Sequence, residues 1–202
     1  MGDNAQIVVD VDAGPENAEE LAVVVREWLV TEEIIDADPG DSVREHIGGH
    51  RLGPNYRSVI EPNSDRAQIS WENRVSAARR VDCIGGRLEF LIGRRVFDAG
   101  GNGIELHCES CEEILVNEQV FDAHPRGYMD AVGRWFDGDD RVSFPCPSCG
   151  KERLLTEWRG PFPWAFGYLG FQFWNWPPLS REFVQRLTQK LGHCTVLVYQ
   201  RI

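Results

Sequence analysis

Apolar and polar positions alternate in a readable way at both ends of the chain. Near the start, Ile7, Val8, Val9 and Val11 form a short apolar run that predicts a buried strand over Gln6–Val11. A helix follows. Asn17 stands at its start as an N-cap with Glu20 three residues on, and Leu21, Val24, Val25, Trp28 and Leu29 recur at helical spacing. The acidic, glycine-rich stretch Asp36–Gly53 reads as loop. Residues 54–82 carry two patterns: short strands at Arg57–Glu61 and Gln68–Trp71, or a helix over 66–80. Leu88, Phe90 and Ile92 alternate with Glu89, Leu91 and Gly93, which predicts a strand over 87–93. Toward the C-terminus, Ser180 can cap a second helix with Val184, Leu187 and Leu191 on one face and Gly192 as its stop. The β-branched run Cys194–Tyr199 predicts a final strand.

With 94–178 set aside, the order is strand, helix, one or two strands, helix, strand. That order fits an α+β fold of ferredoxin-like type, an antiparallel sheet covered by two helices. The expected division is an α+β domain from 1–93 plus 179–202, an inserted module over 94–158, and a connector over 159–178.

Composition supports a packed core: 42% of the 202 residues are hydrophobic and 26% charged. No stretch approaches the ~20 apolar residues of a membrane span. The start of the chain lacks the basic and apolar regions of a signal peptide, so a cytoplasmic protein with no membrane partner is expected. The net charge of −11 is concentrated in residues 1–50, where 13 acids face only Arg26 and Arg44. Residues 51–202 are balanced, and 51–95 are locally basic with nine arginines against five acids. An acidic block disfavours phosphate backbones and favours basic surfaces, besides keeping a protein soluble.

Four of the six cysteines form two Cys-x-x-Cys pairs, Cys108/Cys111 and Cys146/Cys149. The spacing turns both thiolates of a pair toward one ion, and two pairs complete a tetrahedral set. Together with the flanking segments Arg94–Phe97, Ile104–His107, Val142–Phe144 and Arg153–Glu157, these knuckles resemble the zinc-ribbon family over residues 94–158. The resemblance implies one structural Zn(2+) per chain, held by Cys108, Cys111, Cys146 and Cys149. The 34 residues between Cys111 and Cys146 exceed the usual ~15–20, and the excess predicts a short helix over Tyr128–Trp135. A redox pair or a mononuclear iron site are the competing uses of four thiols. His107 is an alternative ligand. Cys83 and Cys194 stand apart, and Cys194 reads as a small buried hydrophobe.

Residues 158–176 hold nine aromatics broken by glycine and proline. Trp164, Phe166, Tyr168, Trp174 and Trp176 are candidates for a binding platform, since such rings concentrate at interface hot spots. The competing reading is a seam that glues the module to the sheet.

Other motifs carry less chemistry. Asp10-Val11-Asp12 ends a strand as the first motif of haloacid-dehalogenase-like phosphatases does, with Asp10 as nucleophile and Asp12 as acid/base, but Ala13-Gly14 departs from that motif. His46 and His50 are separated by two glycines, which spoils a helical metal-ligand pair. Gly100–Gly103 lacks the Lys-Ser/Thr of a phosphate loop, and no nucleophile elbow is present. The expected function is therefore a non-catalytic cytosolic zinc protein that acts as a protein–protein interaction or regulatory module. An acidic protein that neutralises a basic partner, as toxin-immunity proteins do, is one concrete form. Two alternatives stand beside it. One is nucleic-acid binding through the ribbon and the Arg-rich segment 51–95, with Arg79-Arg80 and Arg94-Arg95 on phosphates. The other is a hydrolase using Asp10/Asp12 or the Asp137–Asp140 cluster.

Overall fold

The computed structural model describes residues 4–39, 49–62, 86–100, 104–115 and 127–201. The alternatives of a strand at Gln68–Trp71 or a helix over 66–80, together with Arg79-Arg80, Cys83 and His46, lie outside the described residues.

Ten strands and three α-helices are described. The first strand, β1 (Asn4–Asp10), is buried along almost its whole length. Helix α1 (Ala18–Thr31) follows, then β2 (Ile35–Pro39), all but its first residue inside the segment expected to be loop, and β3 (His50–Leu52), wholly inside it. A 3₁₀ turn, Tyr56–Val59, occupies most of the predicted strand 57–61. β4 (Arg87–Phe97) continues past residue 93, so Arg94–Phe97 belong to a sheet strand. After the cysteine-bearing segment come β9 (Ala165–Trp174), α3 (Arg181–Leu191) and β10 (Thr195–Arg201).

These strands form one six-stranded sheet in the order β10-β1-β9-β4-β3-β2, antiparallel at every pairing. The aromatic stretch expected to be a connector thus supplies β9, paired on one side with β1 and on the other with β4. Its glycines permit close approach where the sequence suggested interruption. A Cβ at Gly170 would stand 2.5 Å from Cε1 of Phe97, so the missing side chain is what lets that ring lie on the strand.

One sheet face is covered by α1 and α3. Val8, Leu88, Leu169, Phe171 and Phe173 meet Ala18, Ala22, Val25 and Leu29 of α1 and Phe183, Leu187 and Leu191 of α3. The buried stripe of α1 is narrower than its apolar pattern suggested, with Val24 exposed and Leu21 and Trp28 half-buried at its margins. Small alanines at the centre of the stripe let the helix approach the sheet. Asn17 does not cap the helix; its Oδ1 accepts the Gly14 N–H at 2.8 Å and closes the preceding turn. Ser180 does cap α3, accepting the Phe183 N–H, and Gly192 ends it with φ 71°. The second sheet face carries a smaller cluster of Ala5, Ile7, Val9, Phe97, Trp174 and Val198.

Candidate metal centre

Two short hairpins present the cysteines. In the first, β5 (Leu106–His107) pairs with β6 (Ile114–Leu115) around Cys108-Glu109-Ser110-Cys111. In the second, β7 (Ser143–Pro145) pairs with β8 (Glu152–Leu154) around Cys146-Pro147-Ser148-Cys149. Helix α2 (Tyr128–Phe136) lies between the hairpins in sequence, where the excess chain length predicted one.

The two turns have the same backbone geometry. Cys108 accepts from the Glu112 N–H at 2.8 Å and donates to Glu113 O at 2.9 Å; Cys146 accepts from the Gly150 N–H at 2.8 Å and donates to Lys151 O at 3.0 Å. In both, the residue after the second cysteine is left-handed: Gly150 at φ 74° and Glu112 at φ 58°. Glycine adopts that conformation freely and glutamate does so at a cost of about 1–2 kcal/mol. The fold of the first turn therefore holds a residue in a conformation its side chain opposes.

The four sulfurs converge. All lie within 4.8 Å of one another, with Cys108 Sγ to Cys149 Sγ and Cys111 Sγ to Cys146 Sγ each 3.8 Å. That is a non-bonded separation, well beyond a disulfide. It also equals the edge of a tetrahedron of sulfurs at a zinc–sulfur distance of ~2.3 Å, which is about 3.8 Å. Cys108 and Cys146 are buried while Cys111 and Cys149 are exposed. Backbone N–H groups of the turn, first that of Ser110, hold the Cys108 thiol down to about 6. At Cys111 a backbone N–H from Glu113 also favours the thiolate, but burial and the neighbouring sulfurs outweigh it and push the thiol up to about 12. Crowded thiols that cannot all ionise together are what a divalent cation resolves. The set can bind one metal ion and is compatible with zinc.

Cys108 and Cys146 belong to an apolar cluster that also includes Leu106, Tyr128, Trp135, Val142, Phe144 and Trp158. The Phe144 and Trp158 rings stack at 4.7 Å. The base of the module is tight: His107 N donates to Arg159 O at 2.7 Å, and a Cβ at Gly160 would lie 1.9 Å from Glu105 O.

The module joins the sheet through Arg94. A register shift in β4 between Ile92 and Arg95, with Gly93 at φ 106°, places one extra residue against β9 and turns Arg94 toward α2. Its guanidinium stacks 3.9 Å from the Trp135 ring centre and donates to Trp135 O, Tyr168 Oη and Asp140 Oδ1, each at 2.6 Å. One side chain thus ties β4, α2 and β9 together. A phosphate-binding role for Arg94 was among the sequence-based alternatives; in the structure its donors are taken by internal partners.

The candidate binding aromatics are placed as follows. Trp164 and Phe166 are half-buried against the module cluster and meet each other edge-to-face. Tyr168 is half-buried beside the helix-covered core, Trp176 is buried in that core, and Trp174 is buried on the opposite sheet face. These rings are distributed over the three apolar clusters, Trp174 and Trp176 being buried and Trp164, Phe166 and Tyr168 half-buried.

Other nominated residues have structural partners. Asp10 is fully buried; its Oδ1 accepts from Asp12 N–H and Ala13 N–H, and His193 Nδ1 lies 2.9 Å from its Oδ2. A carboxylate enclosed in this way has no free face for nucleophilic attack. Asp12 accepts the Cys194 N–H at 2.7 Å. Cys194 itself is exposed, not buried as expected, because it precedes β10 at the sheet end; the adjacent Asp12 charge pushes its thiol up. In the Asp137–Asp140 loop, Asp139 pairs with Arg134 and Asp140 with Arg94. His107 bonds Glu105 and stands outside the group of four sulfurs. Both ring nitrogens of His50 are engaged, with Asp36 O and with Arg26. The Asp10–His193 pair and the Arg94 clamp are the features sequence reasoning missed; each joins residues far apart in the chain with no local signature. Among the described residues no helix is long and apolar enough to cross a membrane.

In comparisons with known proteins, no family model, no curated protein and no solved structure matches the chain.

Proposed function

We propose that the chain is a zinc-stabilised, non-catalytic binding protein of the cytoplasm whose partner is a protein with a basic surface. The observation that carries the metal part is the convergence of four thiols at tetrahedral spacing. Four thiolates leave no open coordination position, so the ion serves structure and not hydrolysis. A reducing compartment keeps such thiols available. In fold terms, strands β10-β1-β9-β4 with α1 and α3 read as a ferredoxin-like arrangement, extended by β2 and β3. The chain between β4 and β9 reads as an inserted zinc ribbon.

The partner reading rests on charge and exposure. Glu16, Glu19, Glu20 and Glu27 are exposed on and beside α1, around the exposed Val23 and Val24. Apolar side chains ringed by carboxylates suit a basic surface with an apolar centre. Among the described residues no observation favours the nucleic-acid or hydrolase alternatives, since Arg94 is internally bonded and Asp10 is enclosed.

Elemental analysis of gently purified protein tests the metal reading: one zinc per chain is expected, and visible absorption from iron–sulfur charge transfer would contradict it. Affinity capture tests the partner reading. Retained proteins should be basic, and Glu20→Lys with Glu27→Lys should release them; capture that ignores these reversals would contradict it.

A further inference from the structure

The two edges of the sheet are unlike. β2 is five residues long, carries Asp36 and Asp38, ends in Pro39 and has an irregular register with β3. Charges, proline and irregularity are the usual protections of an exposed edge. β10, at the other edge, reads Thr-Val-Leu-Val-Tyr-Gln-Arg, seven residues without proline or lysine, in regular register with β1.

The phase of the β10 ladder is set by its first bond. Val11 N donates to Cys194 O at 3.2 Å, so Val11 and Cys194 form a hydrogen-bonded pair. In an antiparallel ladder such pairs alternate, so Val196, Val198 and Gln200 bond β1. Thr195, Leu197, Tyr199 and Arg201 turn their N–H and C=O groups outward. Arg201 N is taken by Ala99 O at 3.3 Å, which closes that end. Among the described residues nothing bonds the outward backbone groups of Thr195, Leu197 and Tyr199. These three residues are symmetric about Leu197.

Above this edge α3 leaves a groove of about 670 Å³, lined among others by Leu179, Val184, Thr188, Leu197 and Tyr199. Tyr199, at 49% exposure, stands at its rim.

We infer that β10 is a self-association edge: two copies of this chain pair their β10 strands antiparallel about a two-fold axis at Leu197, joining their sheets. In that register Leu197 opposes Leu197 of the second copy, and Thr195 opposes its Tyr199. All three outward residues on each copy are then hydrogen-bonded, and no other symmetric register uses all three. The Tyr199 ring of each copy comes to lie beside Thr195 of the other, next to Thr188, where it covers the open groove. A single patch that is its own complement is what a two-fold interface requires. This inference is independent of the metal and of the basic partner.

The test uses the full metal-loaded chain. Sedimentation equilibrium should show a reversible species of twice 22.9 kDa. Residue-resolved hydrogen exchange should show protection at Leu197 and Tyr199 that rises with protein concentration, while Val196 and Val198 stay protected throughout. Leu197→Pro removes one outward N–H and leaves the β1 ladder donors in place. It should weaken dimerisation by roughly tenfold or more, the worth of about one to two backbone hydrogen bonds. Tyr199→Lys, which leaves the backbone untouched, should do the same by placing a charge on the edge. A chain that stays monomeric at every concentration overturns the inference. So does a dimer that resists both substitutions or leaves the Leu197 and Tyr199 amides unprotected.

Discussion

The sheet strands β1, β4, β9 and β10 run for seven to eleven residues each, whereas β5 to β8 have two or three. The sheet gains its cohesion from long ladders and two helices whose apolar faces meet fully buried side chains such as Val8, Leu88 and Phe171. The cysteine module has few ladder bonds, and two of its buried residues are the candidate ligands Cys108 and Cys146. Hairpins this short are marginal alone, so the module depends on its apolar cluster and on whatever its four thiols bind. The two regions should thus respond to different stresses: the sheet to loss of packing, the module to loss of a metal ion held by those thiols.

The largest separation of the two comes from removing the ion. Apparent binding energies of structural zinc are of order 10–16 kcal/mol. Chelation or Cys149→Ser should therefore abolish hydrogen-exchange protection in the hairpins around Cys108 and Cys146, while β1 and β9 amides remain protected. Simultaneous loss of both would show one cooperative unit. Acid should act alike. The Cys108 thiol is lowered from its ordinary 9.0 to about 6, so its contribution is full above pH 9.0, declines as pH falls and is lost by about 6. Metal retention measured from about pH 9 down to about pH 5 checks the direction.

Next in size is Phe171→Ala. The ring is fully buried on the central strand β9. Truncation should cost about 3–5 kcal/mol by chemical denaturation, with metal stoichiometry unchanged. Loss of zinc in that variant would mean the sheet scaffolds the metal centre.

Arg94→Ala addresses the joint itself. Its side chain is 14% exposed, bonds three groups and stacks on Trp135. Its removal should cost about 1–3 kcal/mol and split one thermal transition into two by calorimetry. A single unshifted transition would show that the aromatic joints suffice.

The smallest effect compares the two turns. Gly150→Ala should weaken zinc retention by about 1 kcal/mol, whereas Glu112→Gly should strengthen it by a similar amount. Competition with a chelating dye measures both. Equal effects of the same sign would mean that backbone strain does not govern the site.

The legible parts of the sequence were those with local periodicity or fixed spacing. The two Cys-x-x-Cys pairs, the α3 boundaries at Ser180 and Gly192, and α2 within the long spacer are set by neighbouring residues. β9 was hidden because Gly167 and Gly170 look like breaks, although they admit the backbone of Asp10 and the ring of Phe97. β2 and β3 were hidden by acidic and glycine-rich composition; β2, at the edge, and the three-residue β3 beside it are held by their partners' ladders more than by an apolar pattern of their own. The burial of Asp10 and the clamp at Arg94 depend on residues more than 40 positions away, such as His193 and Tyr168.

The adjacency of Phe97 and Ala165 in the β4–β9 pairing has a kinetic consequence. Residues 98–164 form the loop of what is topologically a single hairpin at the centre of the sheet. Closing a loop of that length costs about 2–3 kcal/mol more than closing a tight turn. The bond from His107 N to Arg159 O draws the loop's base together before the hairpin begins. When the metal gathers the module first, the chain to be closed shrinks to the few residues on either side of that base. If an ion gathers the four thiols first, sheet formation should quicken with the supply of that ion, and chains refolded without metal should form the β4–β9 pairing more slowly.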